Sequence, residues 1–392
     1  MRLTHRSTVA AGFIGYFTQA ITINFAPLLF ITFQKQYSLT LTQISGLIAV
    51  CFFAQIGVDA LAARFSDKFH PRIATVFAHL LAAIGIAGLG IFPRLMPPYA
   101  GLLLAVLLSG AGSGFIEVMI SPIVESCPTK RKSAVMSLLH SFYCWGQAGV
   151  ALLSTVYFVT VGVESWTLLA CLWATIPLAG GLLFCFVPLY PLGGEDQSEK
   201  GASYLKNRLF WAIVVMMLCS GAAEITMGQW ASAFAESALG VSKTVGDLLG
   251  PCAFALLMGS ARIFYAAFST KIRMRPFMAV CGTLCIIAYL LAGLAKDPIL
   301  ALLGCALCGL SVGIMWPGNI SNASALLPGS GVSMFAFLAL SGDIGCLLGP
   351  TVAGKVADAF GGNMRYSFLV SIVFPVILLI ALGYISWQKR KQ

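Results

Sequence analysis

The stretch that decides the fold is LSGAGSGFIE, residues 108–117, taken together with LCGLSVGIMW, residues 307–316. When the two are superimposed, Gly110 falls on Gly309, and a second pair of glycines matches four residues further on. Both stretches are apolar and rich in small residues, as helices are where they pack closely inside a membrane. The match therefore indicates an internally duplicated helical membrane bundle.

Composition places the whole chain in a bilayer. Of its 392 residues, 59% are hydrophobic and 10% are charged, against about 25% charged in an ordinary soluble domain. A soluble protein of this size could not cover its surface with so few charges. Twelve apolar stretches reach the roughly 20 residues that a membrane-spanning helix needs, at residues 8–33, 41–63, 73–92, 99–124, 134–160, 166–189, 208–235, 244–269, 276–295, 298–323, 333–357 and 366–387.

The basic residues lie mostly on one side of this predicted bundle. The formal net charge is +10. With the amino terminus inside, most Lys and Arg side chains fall in inner loops, such as those around residues 64–72 and 130–132. This is the positive-inside bias, and it predicts a multi-pass protein of the inner or plasma membrane with both termini in the cytoplasm. Because membrane topology accounts for the positive charge, we expect no nucleic-acid partner. The expected partners are the lipid bilayer and a small-molecule substrate, and the protein is expected to be a monomer.

A polar stretch divides the chain in two. Residues 191–201 form the longest hydrophilic run, between the sixth and seventh predicted helices. We therefore predict a six-helix half over 1–190, a cytoplasmic linker over 191–206 and a second six-helix half over 207–392. The predicted fold class is an all-α integral membrane protein with twelve transmembrane helices in two pseudo-symmetric halves. Repeated halves of this kind usually flank a substrate path.

The first inner loop carries a family resemblance. ARFSDKFHPR, residues 63–72, resembles the loop signature G-x-x-x-D-x-x-G-R of the major facilitator superfamily, with its glycines replaced. The resemblance implies the major facilitator fold and a loop that gates the cytoplasmic side through charge contacts. Asp67, Arg72 and Arg131 are then the gating candidates, joined by His140 because it lies near the cytoplasmic end of the fifth helix. The alternative is that these charges only fix topology.

Helix four resembles one branch of that superfamily more closely. GSGFIEVMISP, residues 112–122, is similar to the G-x-G-x-x-E-x-x-x-N-P motif of the fucose permeases, with Ser121 in place of Asn. HSFYCWG, residues 140–146, continues the similarity in helix five. The resemblance implies a sugar–proton symporter. The fucose permeases also carry an acid in helix one, where Asn24 is the nearest polar equivalent here.

Two carboxyl groups are candidates for coupling. An ionisable side chain at mid-membrane costs about 2.5–3.5 kcal/mol, so such residues are often functional. Glu117 is the predicted proton site; the alternative is a neutral Glu that bonds two helices together. Glu224, which matches Thr22 in the first half, is predicted to be a second coupling carboxylate or a ligand of the solute, or alternatively a structural contact. The coupling ion is a proton, with sodium as the alternative, and we expect no other cofactor and no metal.

The remaining charges inside the helices are expected to be structural. Asp343 is predicted to support packing, with a transport role as the alternative. Asp59 is predicted to be structural, with a role in the gating loop as the alternative. Arg262 is predicted to extend toward the cytoplasm, or to pair with an acid. Glu125, at the end of helix four, is predicted to form an ion pair at the membrane surface.

Polar and aromatic side chains inside the predicted helices are candidates for binding the substrate. An indole on which sugar C–H groups stack, beside amides that bond hydroxyls, suits a neutral polyhydroxyl solute, and Trp316 with Asn319 provides this pattern. A Trp that only packs is the alternative. The full candidate set is Gln19, Asn24, Ser121, Tyr143, Gln147, Gln229, Trp230, Trp316 and Asn319.

No catalytic or nucleotide-binding motif occurs in the sequence. We therefore predict a secondary transporter rather than an enzyme. It would work by alternating access and import a sugar or similar polyhydroxyl solute together with a proton. A proton-coupled exporter of drugs or metabolites with the same fold is the first alternative, and a membrane receptor or scaffold without flux is the second.

Overall fold

The computed structural model describes residues 4–65, 70–129, 132–190, 203–268, 272–327 and 331–391. Within these ranges twelve helices are long and apolar enough to cross a membrane, and no residue is in a strand. The predicted all-α membrane fold is confirmed.

The chain separates into two compact units, Met1–Gly194 and Glu195–Gln392. The membrane helices of the first unit are α1 (His5–Asn24, continued after a 3₁₀ turn by Phe30–Tyr37), α2 (Leu41–Phe65), α3 (Pro71–Leu95), α4 (Pro98–Glu125), α5 (Lys132–Thr160) and α6 (Trp166–Phe186). Those of the second unit are α7 (Arg208–Ala238), α8 (Lys243–Asp247, π-helical Leu248–Cys252 and Ala253–Phe268), α9 (Met274–Leu294), α10 (Pro298–Val312 and Met315–Leu326), α11 (Gly331–Ala359) and α12 (Met364–Ser371 and Val373–Lys391). Two 3₁₀ turns outside these helices are Val163–Ser165 and Ser203–Lys206.

Helix packing follows one pattern in both units. In the first unit α4 packs against α1, α2 and α3, and in the second α10 packs against α7, α8 and α9. Likewise, α6 packs against α1 and α3, as α12 does against α7 and α9, and α5 packs against α1, as α11 does against α7. The duplicated sequence therefore folds into two copies of the same six-helix arrangement.

The matched glycines mark equivalent helix crossings. A Cβ on Gly110 of α4 would lie 2.4 Å from the carbonyl oxygen of Cys51 in α2, and one on Gly309 of α10 would lie 2.1 Å from that of Phe254 in α8. No side chain fits at such distances. Because van der Waals packing holds helices together in lipid, this close backbone approach explains why both positions are glycine.

α10 is interrupted where the sequence predicts a continuous helix over 298–323. Pro317 has no N–H to donate to the carbonyl of Gly313, four residues earlier. The Nε of Arg262 in α8 donates to that carbonyl instead, at 3.2 Å. The proline thus explains the break, and the hydrogen bond from Arg262 attaches α10 to α8.

Candidate functional site

The first unit holds a buried polar cluster around Glu117 of α4. The side-chain amides of Gln19 in α1 and Gln55 in α2 each donate a hydrogen bond of 2.7 Å to the same oxygen, Glu117 Oε2. Gln19 and Gln55 are only 5% and 2% exposed. Three helices therefore converge on one carboxyl group through two neutral amides.

Helix direction explains how α1 and α4 present these side chains. Tyr16 lies one turn before Gln19 on α1, and Ser121 lies one turn after Glu117 on α4. Their hydroxyl groups are 2.7 Å apart. Because the two helices run antiparallel, one turn pairs tyrosine with serine and the next pairs glutamine with glutamate. The i, i+3 spacing in α1 and the i, i+4 spacing in α4 thus build the site.

An amide partner suits a carboxyl group that gains and loses a proton. An amide has an N–H₂ end that donates and a carbonyl end that accepts, whereas an ionised carboxylate only accepts and a protonated one also donates. The Gln55 carbonyl oxygen is buried and has no hydrogen-bond partner among the described residues. If this amide turned over, its carbonyl oxygen could accept a bond from protonated Glu117.

Further polar side chains surround this cluster in the same unit. The Asn24 amide donates to the Ala20 carbonyl at 3.0 Å and lies 3.5 Å from the Tyr143 hydroxyl. Gln147, one turn beyond Tyr143 on α5, is buried. The exposed His140 ring packs edge-on against Tyr16, with ring centroids 5.2 Å apart. The structure thus brings polar side chains of α1, α4 and α5 close to one another within the first unit.

The second unit holds its carboxyl group differently. Glu224 of α7 is buried, and its Oε1 lies 3.9 Å from Nη2 of Arg262 in α8. Arg262 is partly buried, and the same side chain also bonds the Gly313 carbonyl. A guanidinium is always charged and only donates hydrogen bonds. This neighbour therefore favours the ionised form of Glu224.

The aromatic candidates of the second unit are packed against neighbouring helices. A Cβ on Gly342 would lie 2.2 Å from the Trp316 ring, so the indole packs against the α11 backbone. Trp230 is fully buried and donates its indole N–H to the Pro350 carbonyl at 3.1 Å. The Trp230 N–H is thereby occupied within the protein, which favours a packing role for this side chain.

The amide candidates of the second unit are also buried. The Asn319 amide nitrogen donates to Ser220 at 2.9 Å, while its carbonyl oxygen has no hydrogen-bond partner within the described ranges. Gln229 is 3% exposed. Asn319 thus keeps one buried acceptor atom that a polar solute could use.

Comparison with known proteins now identifies the family. The family model described as Major Facilitator Superfamily matches residues 9–342 and 253–392. The chain belongs to the major facilitator superfamily. Membership makes it a transporter rather than an enzyme, as the sequence predicts.

Individual relatives of this superfamily member are distant. A curated relative, the membrane protein MosC of Rhizobium meliloti, is 22% identical over 345 residues, covering 86% of this chain and 81% of its own. An inward-facing, occupied structure of a bacterial homologue of the human lysosomal transporter Spinster matches with a TM-score of 0.81 at 15% identity, covering 98% and 97% of the two chains. The E. coli fucose:proton symporter matches with a TM-score of 0.64 at 17% identity, covering 97% and 99%. At these identities the structures establish the shared fold alone.

The gating candidates of the superfamily signature are partly visible. Arg72, at the start of α3, donates to three carbonyl groups at the carboxyl end of α6, those of Phe184, Cys185 and Val187, at 2.6, 2.7 and 3.0 Å. It thereby joins α3 to α6 inside the first unit. Asp67 and Arg131 lie outside the described residues, so their predicted gating contacts remain predictions.

Sequence reasoning missed Gln55 and the partner of Glu224. Gln55 is an amide in a highly apolar stretch of α2, and Asp59 follows it one helical turn later. Two polar residues at i and i+4 on an apolar helix form a stripe that faces the bundle interior. That spacing was the available signal. Nothing in the sequence shows which acid Arg262 contacts.

Proposed function

We propose that this member of the major facilitator superfamily is a proton-coupled symporter that imports a sugar or similar neutral polyhydroxyl solute by alternating access. The observation that supports the proposal best is the placement of Glu117 between the amides of Gln19 and Gln55. Glu117 would bind the proton, and the amides would hold its carboxyl group in both protonation states.

The partner of each carboxyl group separates the two coupling candidates. Protonating Glu224 would break its ion pair and leave Arg262 as an uncompensated partly buried charge, which is costly. Protonating Glu117 instead exchanges one hydrogen bond for another. We therefore assign proton binding to Glu117 and treat Glu224 as a structural anion.

Coupling requires that the solute and the proton favour the same state. Asn24, Tyr143 and Gln147 provide hydroxyl and amide groups in the same unit as Glu117, and such neutral groups suit a neutral polyhydroxyl solute. The fucose:proton symporter with the same fold supports this solute class.

The proposed orientation follows from the distribution of positive charge. The positive-inside bias puts the carboxyl ends of α2 and α4, followed by basic loops, in the cytoplasm. Both termini would then be cytoplasmic, in the inner or plasma membrane. The monomer is the proposed functional unit.

Uptake into proteoliposomes tests this function. The protein is reconstituted with a trapped pH dye, and a panel of sugars and polyols is added outside under an inward proton gradient. We expect at least one solute to carry protons inward, and Glu117→Gln to abolish the proton movement. Glu125→Gln, at the exposed end of the same helix, is the matched control and should transport normally.

Other outcomes would change the proposal. Solute-driven proton movement that persists in Glu117→Gln would contradict the assignment of the proton site. A requirement for sodium rather than a pH gradient would replace the coupling ion. If no sugar or polyol moved protons, and cells that express the protein exported drugs or metabolites, the exporter would be favoured.

A further inference from the structure

Asp59 of α2 lies level with Glu117 of α4 because the two helices run parallel and in register. Gly110 of α4 meets Cys51 of α2, and one turn later Gly114 meets Gln55 and Val58. The next step along both helices brings Asp59 beside Glu117. The two carboxyl groups lie within electrostatic range of each other.

Asp59 also lies on the route from Glu117 toward one membrane face. It follows Gln55 by one turn, in the direction of the carboxyl ends of α2 and α4. Its Oδ1 atom is buried, and the residue as a whole is partly exposed. Asp59 therefore lies beside Glu117 and one helical turn closer than Gln55 to the carboxyl ends of the two helices.

We propose that Asp59 is the relay through which the proton of Glu117 exchanges with the aqueous phase at the carboxyl ends of α2 and α4. This inference deepens the proposed function and depends on it. In the relay step the proton leaves a carboxyl oxygen of Glu117 and binds a carboxylate oxygen of Asp59, which then releases it to water. Glu117 is left as a carboxylate that accepts hydrogen bonds from Gln19 and Gln55.

The charge balance favours this route. While one proton moves between the two carboxyl groups, the total charge of the pair stays the same. The transfer therefore avoids the unfavourable separation of charge that direct release from Glu117 into apolar surroundings would require. A carboxyl group within reach of a proton donor is also the type of side chain that accelerates proton transfer.

Other titratable groups near the pair have different roles. Tyr16 of α1 is bonded to Ser121, and His140 of α5 packs on the Tyr16 ring. His79 of α3 is bonded to the Thr75 carbonyl and packs on Phe184 of α6. Asp59 is therefore the described carboxyl group placed to take the proton from Glu117.

Time-resolved infrared spectroscopy after a pH jump tests the relay without a known solute. The carboxyl C=O band of Glu117 is assigned by its absence in Glu117→Gln. In Asp59→Asn we expect that band to keep its amplitude but to respond about 100-fold more slowly, the scale of acceleration that a placed proton acceptor provides. Asp59→Ser repeats the measurement with a smaller side chain, and Asp59→Glu should restore the fast response. Glu125→Gln is the control and should respond as the parent does.

The outcomes separate the relay from the proposed function. A Glu117 band that responds at the parental rate in Asp59→Asn or Asp59→Ser would overturn the relay while leaving Glu117 as the proton site. If Glu117→Gln removed no band, the proposed proton site would fail, and the relay with it. A slow response in both variants, restored by Asp59→Glu, is the result that the relay predicts.

Discussion

The two halves of this transporter build the same helix arrangement around opposite kinds of carboxyl site. In the first half Glu117 is bonded by two neutral glutamines, and in the second Glu224 is paired with Arg262. Amides can bond a carboxyl group in both protonation states, whereas a guanidinium, which is always charged, favours the ionised one. We infer that the partner, rather than the presence of an acid in a membrane helix, distinguishes the two carboxyl sites.

One structurally equivalent position sharpens the contrast. Gly114 meets Gln55 and Val58, just as Gly313 meets Met258 and Ala261. In this register the next residue is Asp59 in the first half and Arg262 in the second. Duplication thus placed side chains of opposite charge at equivalent positions of the two halves, and in the second half Arg262 contacts the carboxyl group of Glu224.

Breaking the ion pair of the second half should have the largest effect on stability. Glu224→Gln and Arg262→Met should each lower the free energy of unfolding by about 3 kcal/mol, because each leaves a partly buried charge without its partner. The double variant should lose much less than the sum. Unfolding in mixed detergent micelles measures these values.

Glu117→Gln is the comparison and should change stability by about 1 kcal/mol or less, since neutral hydrogen bonds replace those to the carboxylate. Additive losses in the double variant would show that the two side chains do not interact.

Removing one amide from the first half should reduce transport. Gln55→Leu removes a hydrogen bond to ionised Glu117, an interaction worth about 1.5–3 kcal/mol, so we expect proton-coupled transport to fall about tenfold or more. Gln43→Leu, the same substitution nearer the start of α2, is the matched control and should leave transport within about twofold. Initial rates of solute-driven proton uptake provide the measurement. Equal rates for the two variants would remove Gln55 from the site.

Replacing the arginines at the helix ends should change stability least, and by a similar amount in both halves. Arg72 bonds carbonyl groups at the carboxyl end of α6, and Arg365 of α12 bonds the Ala295 carbonyl at the end of α9. These are equivalent helix pairs. Replacing either arginine with Met should cost about 1 kcal/mol, the scale of a hydrogen bond or helix-end charge interaction. If Arg72→Met instead left stability unchanged but altered the balance of inward and outward transport rates, a gating role would be supported.

Much of the fold could be predicted from sequence because membrane helices follow simple rules. Length and hydropathy predict the twelve spans. The match of Gly110 with Gly309 predicts the duplication, and the equivalent helix crossings explain why both positions are glycine. The interruption of α10 was not predicted. It depends on Pro317 and on a substitute donor, Arg262, whose position only the packed structure shows.

The candidate site was less predictable. The cost of burying charge identifies Glu117 and Glu224 as important residues. Sequence does not show their partners, because those come from other helices whose rotation is set by packing. Gln19 was selected as a solute ligand, and the structure shows it bonded to Glu117. Asp59 was assigned a structural role because its distance from the proton site depends on the register of α2 against α4.

The central claim is that Glu117, and not Glu224, is the carboxyl group that binds the transported proton. An infrared difference spectrum between acidic and alkaline pH, recorded on the reconstituted protein, tests it directly. We predict that Glu117→Gln removes a carboxyl C=O band and that Glu224→Gln leaves this band in place. A band that disappears in Glu224→Gln and persists in Glu117→Gln would contradict the account.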